Sequence, residues 1–146
     1  MNIRPPILAL IFLLLALGLH FIFPSSRMIE QPYHYIGIGF IVIGIFLAAW
    51  ALAVFKKRGT THQPFETPTK LVTSGPMQLS RNPMYLGLTL VLTGIAVSVG
   101  TPLIFLAPVA FFVTIHMTQI PREEKHLEKI FGVEFLEYKK RVRKWL

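Results

Sequence analysis

Between Met84 and Ile120 the chain reads MYLGLTLVLTGIAVSVGTPLIFLAPVAFFVTIHMTQI: two apolar blocks, Met84–Val99 and Pro102–Ile120, joined only by Gly100-Thr101. Each block has roughly the length that crosses a hydrocarbon core as a helix, about 17 to 21 residues. A two-residue connection leaves the second helix no course except back along the first, so this stretch predicts a tight antiparallel helical hairpin. Two further apolar blocks precede it, about Ile7–Phe23 and Tyr35–Phe55, the second ending at Lys56-Lys57-Arg58. The reading is an all-α fold: an integral membrane bundle of four transmembrane helices (about 7–23, 35–55, 84–99 and 102–120), a polar loop over 56–82, and an amphipathic C-terminal helical segment over 121–146. Residues 1–146 form a single domain in this reading.

Composition supports it. Hydrophobic residues make up 53% of the 146, charged residues 15%, and mean hydropathy is +0.55; a soluble domain carries about 25% charged residues. Ile7–Phe23 is read as a span rather than a cleaved leader, because Pro24-Ser25-Ser26 is a poor small-x-small cleavage site and three more apolar blocks follow. The net charge of +8 is explained by topology rather than by a nucleic-acid partner. With four spans, one side of the bilayer receives Arg4, Lys56, Lys57, Arg58, Lys70, Arg81 and the basic residues of the tail, and the other side only Arg27. That asymmetry places both termini in the cytoplasm, where the basic residues meet anionic head groups.

The chain has no Cys and no Asp, so disulfides, thiolate nucleophiles and thiolate zinc sites are excluded. Its carboxylates are Glu30, Glu66, Glu123, Glu124, Glu128, Glu134 and Glu137. The histidines, at 20, 34, 62, 116 and 126, form no i,i+4 pair, and no metal site is expected. A Ser-His-acid set cannot be assembled from these residues.

Residues 56–82 contain Gly59, Pro64, Pro68, Gly75 and Pro76, which exclude a long helix; Leu71-Val72 and Gly75-Pro76 suggest an ordered loop. In the tail, Leu127, Ile130, Phe131, Phe135, Tyr138, Val142 and Trp145 recur at spacings of three and four, an apolar stripe interrupted at Gly132. Its ordinary reading is an interfacial helix with Trp145 as anchor.

Polar groups at span ends carry the chemistry. Arg81-Asn82-Pro83-Met84-Tyr85-Leu86-Gly87 reads first as a helix start, with Asn82 as N-cap, Pro83 at the first position and Arg81 reaching head groups. Behind that reading stands a functional one, an anion pocket made by an Arg, a Tyr and a helix N-terminus. Glu123-Glu124, after Pro121, suit the first turn of a helix. The 100–101 hairpin nevertheless returns them beside Arg81. A cationic wall then faces an anionic one, a pocket suited to a ligand bearing both charges, such as the amino-acid moiety of a cofactor. His116, near the end of the fourth block, either bonds a neighbouring helix or lines that pocket.

The run Leu71-Val72-Thr73-Ser74-Gly75-Pro76 followed by Arg81-Asn82-Pro83-Met84-Tyr85-Leu86-Gly87 closely resembles the signature of the isoprenylcysteine carboxyl methyltransferase and phospholipid methyltransferase superfamily. The tail, with Arg122-Glu123-Glu124, Leu127, Phe131-Gly132, Phe135, Tyr138 and Val142-Arg143-Lys144-Trp145-Leu146, resembles its second signature. One departure is Met77, where many relatives carry an aromatic residue after Gly-Pro.

The resemblance implies S-adenosylmethionine-dependent methyl transfer in a membrane-embedded pocket. It places Leu71, Val72, Gly75, Pro76, Arg81, Asn82, Pro83, Tyr85, Glu123 and Glu124 at the cofactor, with the loop from His62 to Ser80 closing over it. Arg81, or Arg122, is the candidate for orienting a carboxylate acceptor, and Glu124, or His116, for taking a proton from an amine. The implied partners are a lipophilic or prenylated acceptor and membrane lipids, the implied form is a monomer, and the implied location is the inner membrane of a bacterium. Two alternatives stand beside this: a sterol-reductase-like NADPH enzyme, which shares an Arg-Asn-Pro and acidic-tail pattern, and a non-enzymatic membrane protein whose basic tail docks lipid.

Overall fold

A computed structural model describes residues 3–59 and 68–146. Among them the regular structure is entirely helical: α1 (Pro5–Ile22), α2 (Ile36–Arg58), α3 (Pro83–Val99), α4 (Leu106–Thr114), α5 (Ile120–Phe131) and α6 (Val133–Arg141), with short 3₁₀ turns at Tyr33–Tyr35, Gly75–Gln78 and Pro102–Phe105. Three helical stretches, Pro5–Ile22, Tyr33–Arg58 and Pro102–Phe131, are long and apolar enough to cross a membrane, and the 17-residue α3 is a shorter apolar helix.

What these helices bury shows which solvent they suit. α2 buries Gly37, Gly44 and Ala51, whereas Val42, Ile43 and Phe46 are more than half exposed. A helix in water does the opposite, hiding large apolar side chains. Small residues inward and large apolar residues outward is the pattern of a helix whose surroundings are themselves apolar.

The glycines set the tightest seam. A Cβ on Gly44 would lie 2.5 Å from the Gly87 carbonyl oxygen, and one on Gly87 2.6 Å from that of Gly44. One turn-pair away, a Cβ on Gly37 would meet the Gly94 oxygen at 2.4 Å. The seven-residue spacing on each antiparallel helix keeps these pairs on one stripe, so the backbones of α2 and α3 touch directly. Gly39, off this stripe, has nothing within 4 Å of its Cβ position among the described residues.

α1 packs on α4, and α3 and α4 stand between α1 and α2. The hairpin turns at Gly100, whose φ of 73° is left-handed, and the Gly100 carbonyl accepts bonds from the backbone N–H groups of Met28 and Ile29 at 2.7 and 3.2 Å. Leu8 and Ala9 of α1, Tyr85 and Leu92 of α3, and Phe111, Ile115 and Ile120 form the apolar interior of the bundle.

Two features depart from the expected layout. The helix of the fourth apolar block does not end with that block near Ile120; it runs on as one helical stretch to Phe131, through a π turn at Ile115–Gln119. Pro121 is the physical reason: it has no N–H, and its ring opposes the carbonyl four residues earlier, so an uninterrupted α ladder cannot pass. The Ile120 N–H instead bonds the Ile115 carbonyl, five residues back, and the helix continues. The second departure is the tail. Gly132, at φ 53°, breaks it as expected, but its stripe does not lie free. Leu127, Phe131, Phe135, Tyr138 and Val142 pack on Ala51, Val54 and Phe55 of α2 and on Val72 and Met77 of the loop.

Candidate functional site

The start of α3 is fastened by the chain's last residues. The Arg81 N–H donates to the Arg143 carbonyl at 3.0 Å. Ser80, fully buried, accepts the Asn82 N–H at 3.1 Å and donates from Oγ to the Lys144 carbonyl at 3.2 Å. The Asn82 side chain does not cap α3; its Nδ2 donates to the same Lys144 carbonyl at 2.9 Å. Residues 142–145 therefore form a strap across the end of the hairpin.

Under the strap lies the polar cluster. The Arg81 guanidinium donates from Nη2 to Glu124 Oε1 at 2.6 Å, and from Nη1 to the carbonyls of Lys139 at 3.0 Å and Val142 at 2.6 Å. Its side chain is 9% exposed and that of Glu124 13%. It is therefore a buried cation rather than one reaching for head groups. Its Nε, also buried, has no partner among the described residues. Lys139 Nζ lies 3.7 Å from Glu124 Oε2 and 3.7 Å from Glu128. One α-helical turn into α3, the Tyr85 hydroxyl donates to Glu123 Oε1.

The structure thus brings together Arg81, Tyr85, Glu123 and Glu124, residues far apart in sequence, because the hairpin returns α5 beside the start of α3. Asn82 and Pro83 belong to the same turn. Leu71 and Val72 pack instead in the cluster with Phe135 and Tyr138. Gly75, at φ 65°, sits against Trp50 and Val54 and begins the 3₁₀ turn that includes buried Pro76. The loop is joined to the tail by the Tyr138 hydroxyl, which donates to the Met77 carbonyl at 2.7 Å. Burial pushes the Tyr138 phenol up to about 12, against the opposing pull of Arg81.

His116 is exposed, and its Nδ1 accepts the Trp145 indole N–H at 3.0 Å. Trp145 also lies on Phe112, with ring centroids 4.6 Å apart, so it is a clasp for the strap rather than a free interfacial anchor. His62 lies outside the described residues.

Sequence reasoning passed over Ser80, Lys139 and Gln119. Ser80 and Lys139 act through backbone carbonyls and a distant turn, which leave no periodic signal. Gln119 carried one: a polar residue at the end of an apolar run, four residues before Glu123.

The phospholipid methyltransferase family profile matches residues 32–134, which include α2, the hairpin and the polar cluster. The chain belongs to the phospholipid methyltransferase family.

The chain is 32% identical to protein-S-isoprenylcysteine O-methyltransferase B of Arabidopsis thaliana over 112 residues, 73% of this chain and 55% of that protein. It is 32% identical to a probable protein-S-isoprenylcysteine O-methyltransferase of rice over 111 residues, 74% of this chain and 58% of that one. An uncharacterized protein of Haemophilus influenzae is 43% identical over 63 residues, 43% of this chain and the whole of that protein. The chain spans little more than half the length of the plant relatives it matches. No solved structure matches it significantly. The chain is thus a phospholipid methyltransferase family member with several helices long and apolar enough to cross a membrane.

Proposed function

We propose that this phospholipid methyltransferase family member uses S-adenosylmethionine to methylate a lipid-like or prenylated acceptor, at a carboxylate or an amine, and that the cluster of Arg81, Tyr85, Glu123 and Glu124 is where the cofactor's amino-acid end is held. The observation that carries the reading is the buried meeting of Arg81 and Glu124 at 2.6 Å, at the mouth of an apolar hairpin.

The residues present fit that group. Arg81 keeps a buried Nε–H without a partner among the described residues, a donor for a carboxylate. Glu123 and Glu124 each offer more acceptor sites than their single short contacts use, and an ammonium or a ribose hydroxyl needs acceptors of that kind. The cofactor supplies a methyl group already activated by its sulfonium. What remains for the chain is to hold the reacting partners in line and keep bulk water out. The strap over Arg81 and the apolar interior around Tyr85 serve the second task. Glu124 is the group available to take a proton from an amine acceptor, and Arg81, 2.6 Å from it, the group that holds its carboxylate in place. Neither role calls for a metal.

The same reading takes α1, α2, the α3 helix and the Pro102–Phe131 stretch as four crossings, with both termini cytoplasmic in a bacterial inner membrane, and the protein as a monomer. Supporting it are the loop charges, which leave only Arg27 on the opposite side. Titrating purified protein in detergent with S-adenosylhomocysteine and, separately, with NADPH tests the activity class. Binding of the first alone is expected; binding of NADPH alone would make the chain a reductase, and binding of neither would remove the enzymatic reading.

A further inference from the structure

Gln119 is the buried polar side chain that the cluster leaves without a role. It is 5% exposed, and its Nε2 has no hydrogen-bond partner among the described residues. Native interiors seldom tolerate an unpaired buried amide, and one beside a binding site calls for a ligand. Gln119 also ends the π turn Ile115–Gln119. Such a turn inserts one residue, which swings everything beyond it by about 100° relative to a continuous α-helix, and π turns gather at functional sites.

Position adds a second argument. Glu123 follows Gln119 by four residues, so both side chains lie on one face of the helix, a turn apart. The polar groups therefore form levels. Arg81 with Glu124 is outermost, Tyr85 with Glu123 comes next, and Gln119 stands about 6 Å further toward the middle of the bundle. At that level its chain neighbours Ile115 and Ile120 belong to the apolar interior with Leu8 and Leu92.

We infer that Gln119 receives the polar head of the methyl acceptor, its Nε2–H donating to an anionic oxygen, carboxylate or phosphate, at the end of an amphiphile. The inference rests on the methyltransferase reading and deepens it. The charged level suits a zwitterionic cofactor end. A neutral amide set among apolar side chains costs less to desolvate than a cation, and it lies on the membrane side of the Tyr85–Glu123 bond. There a lipid tail stays in hydrocarbon while its head reaches the site.

The test compares the parent, Gln119→Met and Gln119→Glu in detergent. Each is titrated with S-adenosylhomocysteine, and then, loaded with it, with N-acetyl-S-farnesylcysteine (a carboxylate head) or short-chain phosphatidylethanolamine (a phosphate head). Whichever lipid the parent binds identifies the source of the oxygen. Both variants should keep S-adenosylhomocysteine affinity within about twofold, and both should bind that lipid roughly 10- to 100-fold more weakly. Ligand-free Gln119→Met should melt no lower than the parent, since it removes an unpaired amide.

Weaker S-adenosylhomocysteine binding with unchanged lipid binding would assign Gln119 to the cofactor and overturn the inference. So would unchanged binding of both ligands. A lower melting temperature or failure of Gln119→Met to fold would mark a structural role, with the same consequence. A parent that binds S-adenosylhomocysteine but neither lipid also overturns it. A parent that does not bind S-adenosylhomocysteine defeats the methyltransferase reading itself, a result read before any variant is made.

Discussion

Arg81 and Glu124, 43 residues apart in sequence, meet at 2.6 Å with about nine-tenths of each side chain hidden from solvent. Two buried charges gain from each other only what their desolvation leaves, so such a pair is weak evidence for stability alone. Arg81 does more than pair, since it also gathers the carbonyls of Lys139 and Val142. One guanidinium thus joins the start of α3, Glu124 and the strap.

Arg81→Ala should therefore release the strap. Removing one partner of a buried pair costs about 3–5 kcal/mol, and trypsin should then cut rapidly at Arg143 and Lys144. Arg81→Lys should not restore protection, because a compact ammonium cannot serve three acceptors in the geometry of a planar fork. Thermal unfolding in detergent with limited trypsin digestion checks both. Resistance of Arg81→Ala equal to the parent's would contradict the role given to the guanidinium.

The α2–α3 seam should be intolerant of a single methyl group. In Gly44→Ala the new Cβ meets the Gly87 oxygen at 2.5 Å, a backbone atom that cannot swing away, so the helices must separate. A loss of about 3 kcal/mol or more is expected. Gly18→Ala is the control: nothing lies within 4 Å of its Cβ, and the change should add about 0.5–1 kcal/mol of helix stability. Melting temperatures of the two variants should shift in opposite directions.

Much of this was legible in the chain. The hairpin follows from Gly100-Thr101 between two apolar blocks, and the break at Gly132 from glycine's cost in a helix. The meeting of Arg81 with Glu124 follows from the hairpin. What could not be read is the π turn, because apolar periodicity does not reveal how the backbone accommodates Pro121. The strap was also hidden, because its bonds to Arg81, Ser80 and Asn82 come from backbone carbonyls, which every residue has. Asn82 illustrates the consequence: its type fits an N-cap, but the nearby Lys144 carbonyl claims its amide.

Tyr138 gives a pH dependence of definite sign. Its phenol is held protonated by burial up to about 12, above its ordinary value of 10.0. Between those values the unfolded chain loses the proton while the folded chain keeps it, so the contribution is complete below pH 10 and lost as pH rises toward 12. Tyr138→Phe should lack this component. It should be about 1 kcal/mol less stable at pH 8, having lost the bond to the Met77 carbonyl, and the gap should narrow as pH rises past 10. A gap that widens instead would contradict the assignment, as followed by denaturant unfolding across that range.

The absence of cysteine makes topology directly measurable. In intact cells, a single Ser26→Cys should react with a membrane-impermeant maleimide. Lys57→Cys and Lys140→Cys should react only after the membrane is permeabilised. Labelling of Lys140→Cys in intact cells would invert the proposed orientation.

The central claim is that Glu123 and Glu124 form the anionic wall of a cofactor site, and calorimetric binding of S-adenosylhomocysteine to Glu123→Gln, Glu124→Gln and Glu134→Gln tests it most directly. Each of the first two should lose roughly 10- to 150-fold in affinity, the value of one hydrogen bond to a charged group in a partly desolvated site. Glu134→Gln, on the first turn of α6 and away from the cluster, should match the parent. Equal affinity for all three variants and the parent would make the acids a structural feature of the helix and would contradict the account.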